Sequence, residues 1–216
     1  IINISDYEYS ESIRLGILNS KSVKVLNTIN NEVEKINEYP LNYDKNKINF
    51  LFIGRLDPEK GFDKLYNFFS LNKNYVLHVV GDTVTTNFPN YLNKENIYFY
   101  GWQNYENVHN YYIQTDVVII PSKWEGFGLV ALEAMKYSKP ILASNRGALI
   151  DIIENNKNGF IFDFNNFNSG LTKNINDLIE SDIKKIGESS YRLFNEKYSK
   201  NNMSKEINDL YEDLLN

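Results

Sequence analysis

The sequence has no cysteine and only two histidines among its 216 residues. Without thiols it can form neither disulfides nor thiolate metal sites. His78 and His109 lie far apart in the chain without metal-ligand spacing, so we expect no structural zinc. No apolar run approaches the roughly 18–20 residues that span a bilayer. The first ten residues also lack the basic and apolar regions of a signal peptide.

Positive charge is scarce as well, because 23 Lys and Arg residues face 28 Asp and Glu residues, for a net charge of −5. This balance argues against binding to nucleic acid, which requires a basic face. Position 1 is not methionine, which predicts an excised fragment or a processed product. In contrast, 42% of the residues are hydrophobic and 14% aromatic. That is enough for the core of one large domain, or of one domain with appendages.

Short apolar runs that alternate with helical stretches fill the middle of the chain. They predict six buried strands: Asn49–Ile53, Tyr75–Val80, Asn96–Tyr100, Asp116–Ile120, Pro140–Ala143 and Gly159–Phe162. Near-continuous apolar strands separated by helices are typical of βαβ units. The predicted fold class is therefore α/β, with a Rossmann-like, doubly wound parallel sheet of six strands. Such sheets bind ligands at the carboxyl ends of their strands, here the loops after Ile53, Val80, Tyr100 and Ile120.

The two ends of the chain differ from the middle. The N-terminal part predicts one helix over Glu8–Leu18 and one strand over Val23–Leu26, and the polar segment Pro40–Lys47 is typical of a linker. The tail, Asp182–Asn216, predicts two helices. The second of these has one apolar stripe, formed by Ile207, Leu210, Tyr211 and Leu214.

Two cations follow the first predicted strand, in the loop Gly54-Arg55-Leu56-Asp57-Pro58-Glu59-Lys60-Gly61. A helix is predicted after this loop, over Phe62–Leu71. Arg55 offers a fork of donors and Lys60 a point charge, and together they suit a diphosphate. From these residues alone, a turn with solvated charges is an open alternative.

A second loop, within Pro121–Met135, carries two glycines and two carboxylates. Gly126 and Gly128 allow a ligand to approach the backbone, and a helix that begins near Gly128 favours anions at its free amides. Glu125 in the loop and Glu133 in the second helical turn can accept hydrogen bonds from sugar hydroxyls. Taken singly, Glu133 reads as a surface residue and Glu125 as a loop charge or helix cap. Beside two cations, they complete the groups that a sugar nucleotide requires.

Other polar and aromatic residues carry weaker signals. The segment Ala143–Ile153 is typical of an ordinary strand–helix connection, and Arg146 is its one candidate for a functional role. His78 lies inside an apolar strand, which favours a hydrogen-bonded core histidine. His109 lies on a predicted helix and is expected to be partly exposed. Trp124 fits either a wall of the sugar pocket or plain packing.

From about Val23 to Phe162, these segments resemble the family 4 retaining glycosyltransferases of the GT-B fold. The segments Gly54-Arg55-Leu56 and Glu59-Lys60-Gly61 are similar to the diphosphate-binding loop of that family. A second match, to its E-x7-E signature, consists of Pro121-Ser122, Glu125-Gly126-Phe127-Gly128-Leu129 and Glu133-Ala134. A third, to the segment that usually follows, consists of Ser144, Gly147, Ile152-Ile153 and Asn158-Gly159.

The resemblance implies roles for the matched side chains. Arg55 and Lys60 would hold the diphosphate, with help from backbone amides. Glu133 would bind the ribose, Glu125 the donor hexose, and the loop at Gly101 would border the base. The implied catalytic residues are Glu125, Arg55 and Lys60. The implied donor-binding residues are Arg55, Lys60, Gly101, Gly126, Phe127, Gly128, Leu129 and Glu133.

The implied reaction is the transfer of a hexose from a UDP- or GDP-sugar to a glycan or lipid-linked acceptor, with retention. The resemblance implies no covalent nucleophile, metal or cofactor, because the positive loop would stabilise the departing diphosphate. It implies a cytoplasmic protein at the inner face of the membrane. The alternative is a non-catalytic GT-B-like module that binds a sugar nucleotide or a partner protein. A dehydrogenase is disfavoured, because no Gly-x-Gly-x-x-Gly follows the first strand.

The resemblance also predicts how the chain is divided. Residues 1–46 would be a remnant of the N-terminal domain with the interdomain linker, and residues 47–198 the nucleotide-sugar-binding domain. Residues 199–216 would form a helix that packs back on the N-terminal acceptor domain. That absent domain is the implied partner and the site of peripheral membrane association. Without it, we expect the apolar stripe of this helix to be exposed.

Overall fold

The computed structural model describes residues 2–17, 22–30, 41–84 and 91–215, apart from the side chain of Leu214. Its elements are, in chain order, β1 (Ile2–Asn3), α1 (Asp6–Arg14), β2 (Val23–Lys24), β3 (Asn49–Ile53), α2 (Phe62–Leu71), β4 (Val76–Val80), β5 (Ile97–Phe99), α3 (Tyr105–Gln114), β6 (Val117–Ile120), α4 (Leu129–Lys136), β7 (Ile141–Ser144), α5 (Leu149–Ile152), β8 (Gly159–Phe162), α6 (Phe167–Glu180), α7 (Ile183–Lys197) and α8 (Lys200–Leu215). Within these ranges, no helix is both long and apolar enough to cross a membrane.

The main sheet has six parallel strands in the order β5-β4-β3-β6-β7-β8. Leu51 of β3 pairs with His78 of β4 on one side and with Val118 of β6 on the other. The predicted α/β fold with a six-stranded parallel sheet is confirmed. The strand order reverses between β3 and β6, and the connections on either side of this point leave a crevice at the carboxyl ends of the strands.

Helices cover both faces of the sheet. The α2 and α6 helices pack on one face, through residues such as Leu65 and Leu171. The α3, α4, α5 and α7 helices pack on the other, through residues such as Leu132 and Leu193. Because helices cover both faces, the central strands are almost entirely apolar, and each large apolar side chain buried there contributes about 1.5–3 kcal/mol.

The predicted boundaries agree closely with the observed ones in this part of the chain. The bounds of β3, β8 and α2 match the predicted ones. The β4 and β6 strands are one residue shorter than predicted, β5 is shorter by one residue at each end, and β7 is shifted by one residue. Asn96, the predicted first residue of β5, lies just outside the observed strand, and its side chain donates to the carbonyl oxygens of Phe69 and Tyr75.

The N-terminal piece forms a small unit of its own, in which β1 and β2 pair in parallel around α1. The α1 helix begins at Asp6 and ends at Arg14, whereas the sequence predicts Glu8–Leu18, and Leu18 lies outside the described residues. Ser5 caps the helix and also donates to the carbonyl of Gly126 at 3.3 Å. The piece therefore rests on the loop that precedes α4. Residues 31–40, which include part of the predicted linker, also lie outside the described residues.

The C-terminal helix α8 begins one residue after its predicted start. In its apolar stripe, Ile207 and Leu210 are half-buried and Tyr211 is 62% exposed, so the stripe is only partly open to solvent. The Glu206 carboxylate accepts a hydrogen bond from the backbone of Leu26 at 3.2 Å. The helix thus contacts the N-terminal segment, while its packing on a further domain stays a prediction.

Candidate active site

Loops from three strands meet at one edge of the sheet: residues 54–61 after β3, 121–128 after β6 and 145–148 after β7. The amide of Lys123 donates to the carbonyl of Glu59 at 2.8 Å, which joins the first two loops. The amide of Ala148 donates to the carbonyl of Glu125 at 2.9 Å, which joins the second and third. The sheet therefore brings together segments that are far apart in sequence.

Two glycines set how closely these loops approach one another. A Cβ atom at Gly61 would lie 1.9 Å from the carbonyl oxygen of Pro121, and one at Gly147 would lie 2.0 Å from that of Glu125. Both residues also have positive φ, +68° at Gly61 and +57° at Gly147, which disfavours any side chain. Glycine is therefore required for the observed distance between the loops.

The closest charged contact of the site is the pair Lys60–Glu125. The Lys60 Nζ lies 2.8 Å from Glu125 Oε2, and the two side chains are 29% and 17% exposed. Ser122 Oγ donates to the same carboxylate oxygen at 3.2 Å, and Ser144 Oγ donates to the carbonyl of Ser122 at 2.5 Å. The Glu125 carboxylate is thus held by two side chains, those of Lys60 and Ser122.

Arg55, the second predicted cation, lies in the same loop as Lys60. Its Nε is 3.1 Å from Asp57 Oδ2, and half of its side chain is exposed. The other oxygen of Asp57 accepts a hydrogen bond from the Lys60 amide at 2.8 Å. Asp57 therefore contacts the side chain of Arg55 and the backbone of Lys60, a role that no feature of its local sequence indicates.

The α4 helix begins at this site without a side-chain cap. Gly128 occupies the N-cap position with φ +97°, and no side chain bonds to the first turn. The positive end of the helix dipole therefore faces the loop. Phe127 is buried and Leu129 is exposed. Of Gly126 and Phe127, only backbone atoms are placed to serve a ligand, because Gly126 has no side chain and that of Phe127 lies in the core.

Glu133 lies on α4, in the wall of a cavity of about 220 Å³ between α3 and α4, which Tyr105, Val108 and Tyr112 also line. The hydroxyl of Tyr112 donates to Glu133 Oε2 at 2.6 Å. Burial raises the pKa of Glu133, while this hydrogen bond acts in the opposite direction. Glu133 is therefore a partly buried, bonded carboxylate rather than a freely solvated surface residue. Sequence reasoning did not anticipate Tyr112.

Gly101 lies in the loop after β5, where backbone hydrogen bonds join this loop to its neighbours. The amide of Gly81 donates to the carbonyl of Gly101 at 2.9 Å, and Leu56 in turn donates to Asp82 at 3.1 Å. The loops after β3, β4 and β5 are thus connected through their backbones. The predicted role of Gly101 beside the base stays a prediction.

Four residues outside this set have clear positions. His78 is a buried, hydrogen-bonded core histidine, as predicted. The expectation that His109 is partly exposed is wrong, since it is only 4% exposed where α3 packs beside α4. Trp124 is 57% exposed and packs on Gly126. Arg146 donates to Asn165 at 2.5 Å, which gives it a partner in a neighbouring loop.

Comparison with known proteins identifies the class to which this fold and site belong. Residues 33–210 match the family of glycosyl transferases group 1. The match covers well over half of the chain, and the chain belongs to this family.

Two relatives and one solved structure illustrate the similarity. The chain is 35% identical over 177 residues to an uncharacterized 41.2 kDa protein in the cps region of Klebsiella pneumoniae, covering 78% of this chain and 49% of the relative. It is 28% identical over 179 residues to the capsular polysaccharide biosynthesis glycosyltransferase CapM of Staphylococcus aureus, covering 76% and 46%. The chain therefore spans about half the length of these relatives. The fold also matches HepE of Anabaena in complex with UDP, with a TM-score of 0.81, 18% identity, and coverage of 98% and 63%.

Proposed function

We propose that this chain is the donor-binding part of a retaining hexosyltransferase, which moves a sugar from a nucleoside diphosphate sugar to a glycan or lipid-linked acceptor. The observation that carries the proposal is the contact between Lys60 and Glu125 at the carboxyl ends of β3 and β6. A cation suited to phosphate and a carboxylate suited to sugar hydroxyls would then lie side by side where the diphosphate of the donor is bonded to its sugar.

Charge within the site supports this assignment. A diphosphate beside Lys60 and Arg55 would gain charge-assisted hydrogen bonds, and the uncapped start of α4 would add a favourable dipole. Lys60 pairs with Glu125, so an arriving diphosphate would share Lys60 and leave Glu125 oxygens to accept from the hexose. The same cations would stabilise the charge that develops on the diphosphate as its bond to the sugar breaks.

The known relatives support the donor and acceptor classes. HepE was solved with UDP, and CapM is named for capsular polysaccharide biosynthesis. Because the chain spans about half of its relatives, we propose that a further domain supplies most acceptor contacts. We also propose that the complete protein acts at the cytoplasmic face of a membrane, where lipid-linked acceptors are available.

A titration with UDP, GDP and ADP tests donor binding. We expect the chain to bind one of the first two weakly, and Lys60→Ala to weaken that binding about tenfold, as the loss of one charge-assisted hydrogen bond predicts. Isothermal titration calorimetry gives the dissociation constants. If no nucleotide binds, the proposed function is wrong, and if Lys60→Ala binds as tightly as wild type, the phosphate assignment is wrong.

Lys123→Ala is the matched control for net charge. Lys123 lies in the adjoining loop, is 58% exposed and pairs with Glu59 at 3.4 Å rather than with Glu125. It removes the same charge from the same edge of the sheet, but from an exposed pair that contributes little. We expect its nucleotide affinity to stay within about twofold of wild type.

Turnover by the chain alone is expected to be negligible, because most acceptor contacts are proposed to lie in another domain. Radiolabelled transfer from the preferred donor to a lipid-linked acceptor measures this directly. The longer protein is expected to transfer the sugar with retention at the anomeric carbon, which proton NMR of the product reports. Efficient transfer by the 216-residue chain would contradict the proposed division of the site.

A further inference from the structure

Tyr112 of α3 contacts Glu133 of α4 from within the core. The side chain of Tyr112 is 1% exposed, and its hydroxyl donates to Glu133 Oε2 at 2.6 Å. Tyr137 stacks on the same ring, with 5.3 Å between ring centroids and an interplanar angle of 10°. Packing therefore fixes the ring, and the ring fixes the position of the hydroxyl.

The chemistry of this contact leaves Glu133 able to bind a ligand. Burial raises the pKa of Tyr112 well above its ordinary value, so the hydroxyl remains a donor and Glu133 the acceptor. An ionised carboxylate has about four acceptor positions, and Tyr112 occupies one of them. Glu133 also lines a cavity of about 220 Å³, where its remaining acceptor positions could meet a ligand.

We propose that Tyr112 is a positioning residue, whose hydroxyl holds one oxygen of Glu133 so that the carboxylate accepts hydrogen bonds from the ribose hydroxyls of the donor. The inference rests on the proposed function, because it assumes that Glu133 meets the nucleotide. A carboxylate held in one orientation loses little freedom on binding, and this preorganisation favours affinity.

A purely structural role would have a different signature. If the hydrogen bond only ties α3 to α4, its loss would lower stability and weaken all ligands alike. If it orients Glu133 toward the ribose, its loss would weaken only ligands that carry ribose hydroxyls. Comparison of a nucleotide with an analogue that lacks these hydroxyls therefore separates the two roles.

The experiment measures Tyr112→Phe in the full chain, titrated with UDP and with 2′,3′-dideoxy-UDP, or with the GDP pair if wild type prefers guanine. Phenylalanine keeps the buried ring and removes only the hydroxyl. We expect UDP affinity to fall about tenfold, because the ribose would lose about one well-placed hydrogen bond to the Glu133 carboxylate, while dideoxy-UDP affinity stays unchanged. The preference of the variant for the ribonucleotide would shrink by the same factor.

Tyr111→Phe is the matched control, because Tyr111 is the neighbouring residue of α3, is 2% exposed and packs on the ring of Tyr100 at 5.0 Å. It removes a buried tyrosine hydroxyl from the same turn of the helix. We expect its preference for UDP over the dideoxy analogue to equal that of wild type. Near-ultraviolet circular dichroism verifies that both variants keep the native packing.

The pH profile of UDP binding gives a second readout. Loss of the Tyr112 hydrogen bond would raise the pKa of Glu133 further. As the pH is lowered, the UDP affinity of Tyr112→Phe would therefore begin to fall at a higher pH than that of wild type. The other titratable groups of the cavity are shared by both proteins: Tyr105, His109, Lys136 and Tyr137. The difference between the two profiles therefore reports on Glu133.

Two outcomes would overturn the inference. The first is equal weakening of UDP and dideoxy-UDP in Tyr112→Phe, and the second is an unchanged preference with an unchanged pH profile. Failure of the proposed function is recognised separately, because in that case wild type itself binds neither UDP nor GDP.

Discussion

Replacement of Gly61 by alanine is expected to destabilise the chain by about 3–5 kcal/mol and to abolish nucleotide binding. The new Cβ would lie 1.9 Å from the carbonyl oxygen of Pro121 and 2.9 Å from its carbonyl carbon. Both are backbone atoms at the end of β6, so neither can rotate away as a side chain would. The loop that carries Lys60 would have to move off the loop that carries Glu125.

The residue's φ of +68° adds a second cost to this overlap. A side chain in the left-handed region costs about 1–2 kcal/mol, whatever space surrounds it. The remainder of the predicted loss comes from displacement of the backbone. Urea unfolding at neutral pH measures the free energy of unfolding, and calorimetric titration measures nucleotide binding.

Gly16→Ala separates the two costs. Gly16 has the same φ of +68°, yet among the described residues no atom lies within 4 Å of the Cβ that alanine would add. Its substitution is therefore expected to lower the free energy of unfolding only by the conformational cost, about 1–2 kcal/mol, and to leave nucleotide binding intact. If Gly61→Ala lowers the free energy of unfolding no more than Gly16→Ala does, the close approach of the two loops is not a requirement of the fold.

The parallel sheet could be predicted from the sequence because helices bury both of its faces. Phe50 and Leu51 point to opposite faces of β3 and both are fully buried, so the strand reads as a continuous apolar run. Strand ends were less accurate, because they depend on partners distant in sequence. Asp116, for example, is the first residue of the predicted strand but precedes the observed one, and its carboxylate accepts from the amide of Asn49 at 2.8 Å.

The sequence predicts which residues form the candidate site better than it predicts the contacts among them. Lys60 and Glu125 are 65 positions apart, but both follow strands, and parallel strands end at one edge. The residues that position them left no such signal. Asp57 is one of several polar residues in its loop, and Tyr112 is one of several aromatic residues near α3. Their roles depend on which helices and loops become neighbours, and that follows from strand order rather than from local pattern.

Acidification from pH 7 to pH 4 is expected to cost about 3 kcal/mol of folding stability through His78 alone. His78 is fully buried in β4, and desolvation lowers its pKa from 6.5 to about 4. Between these two values the unfolded chain binds a proton that the folded chain does not. Stability therefore falls as pH drops below about 6.5, and His78 contributes no further loss below about pH 4.

The hydrogen bonds around His78 explain why the neutral ring is held so firmly. Asn49 donates through its amide nitrogen to three oxygen atoms, so its Oδ1 is the acceptor toward His78 Nε2 at 3.0 Å. That leaves His78 Nδ1 as the acceptor from the Tyr100 hydroxyl, also at 3.0 Å. Tyr100 in turn accepts from the backbone of Asn42 at 3.3 Å. The neutral tautomer satisfies every member of this chain, whereas a second ring proton would require Tyr100 to reorient beside a buried charge.

His78→Gln isolates this contribution, because glutamine offers both a donor and an acceptor but does not titrate in this range. Urea unfolding at pH 7 and pH 5 is expected to show that wild type loses about 2 kcal/mol more than the variant. Other groups, such as Asp151, whose pKa burial raises, are present in both proteins and cancel in the comparison. Equal losses in the two proteins would show that the buried network accepts the proton. In that case His78 would not account for the loss of folding stability at acidic pH.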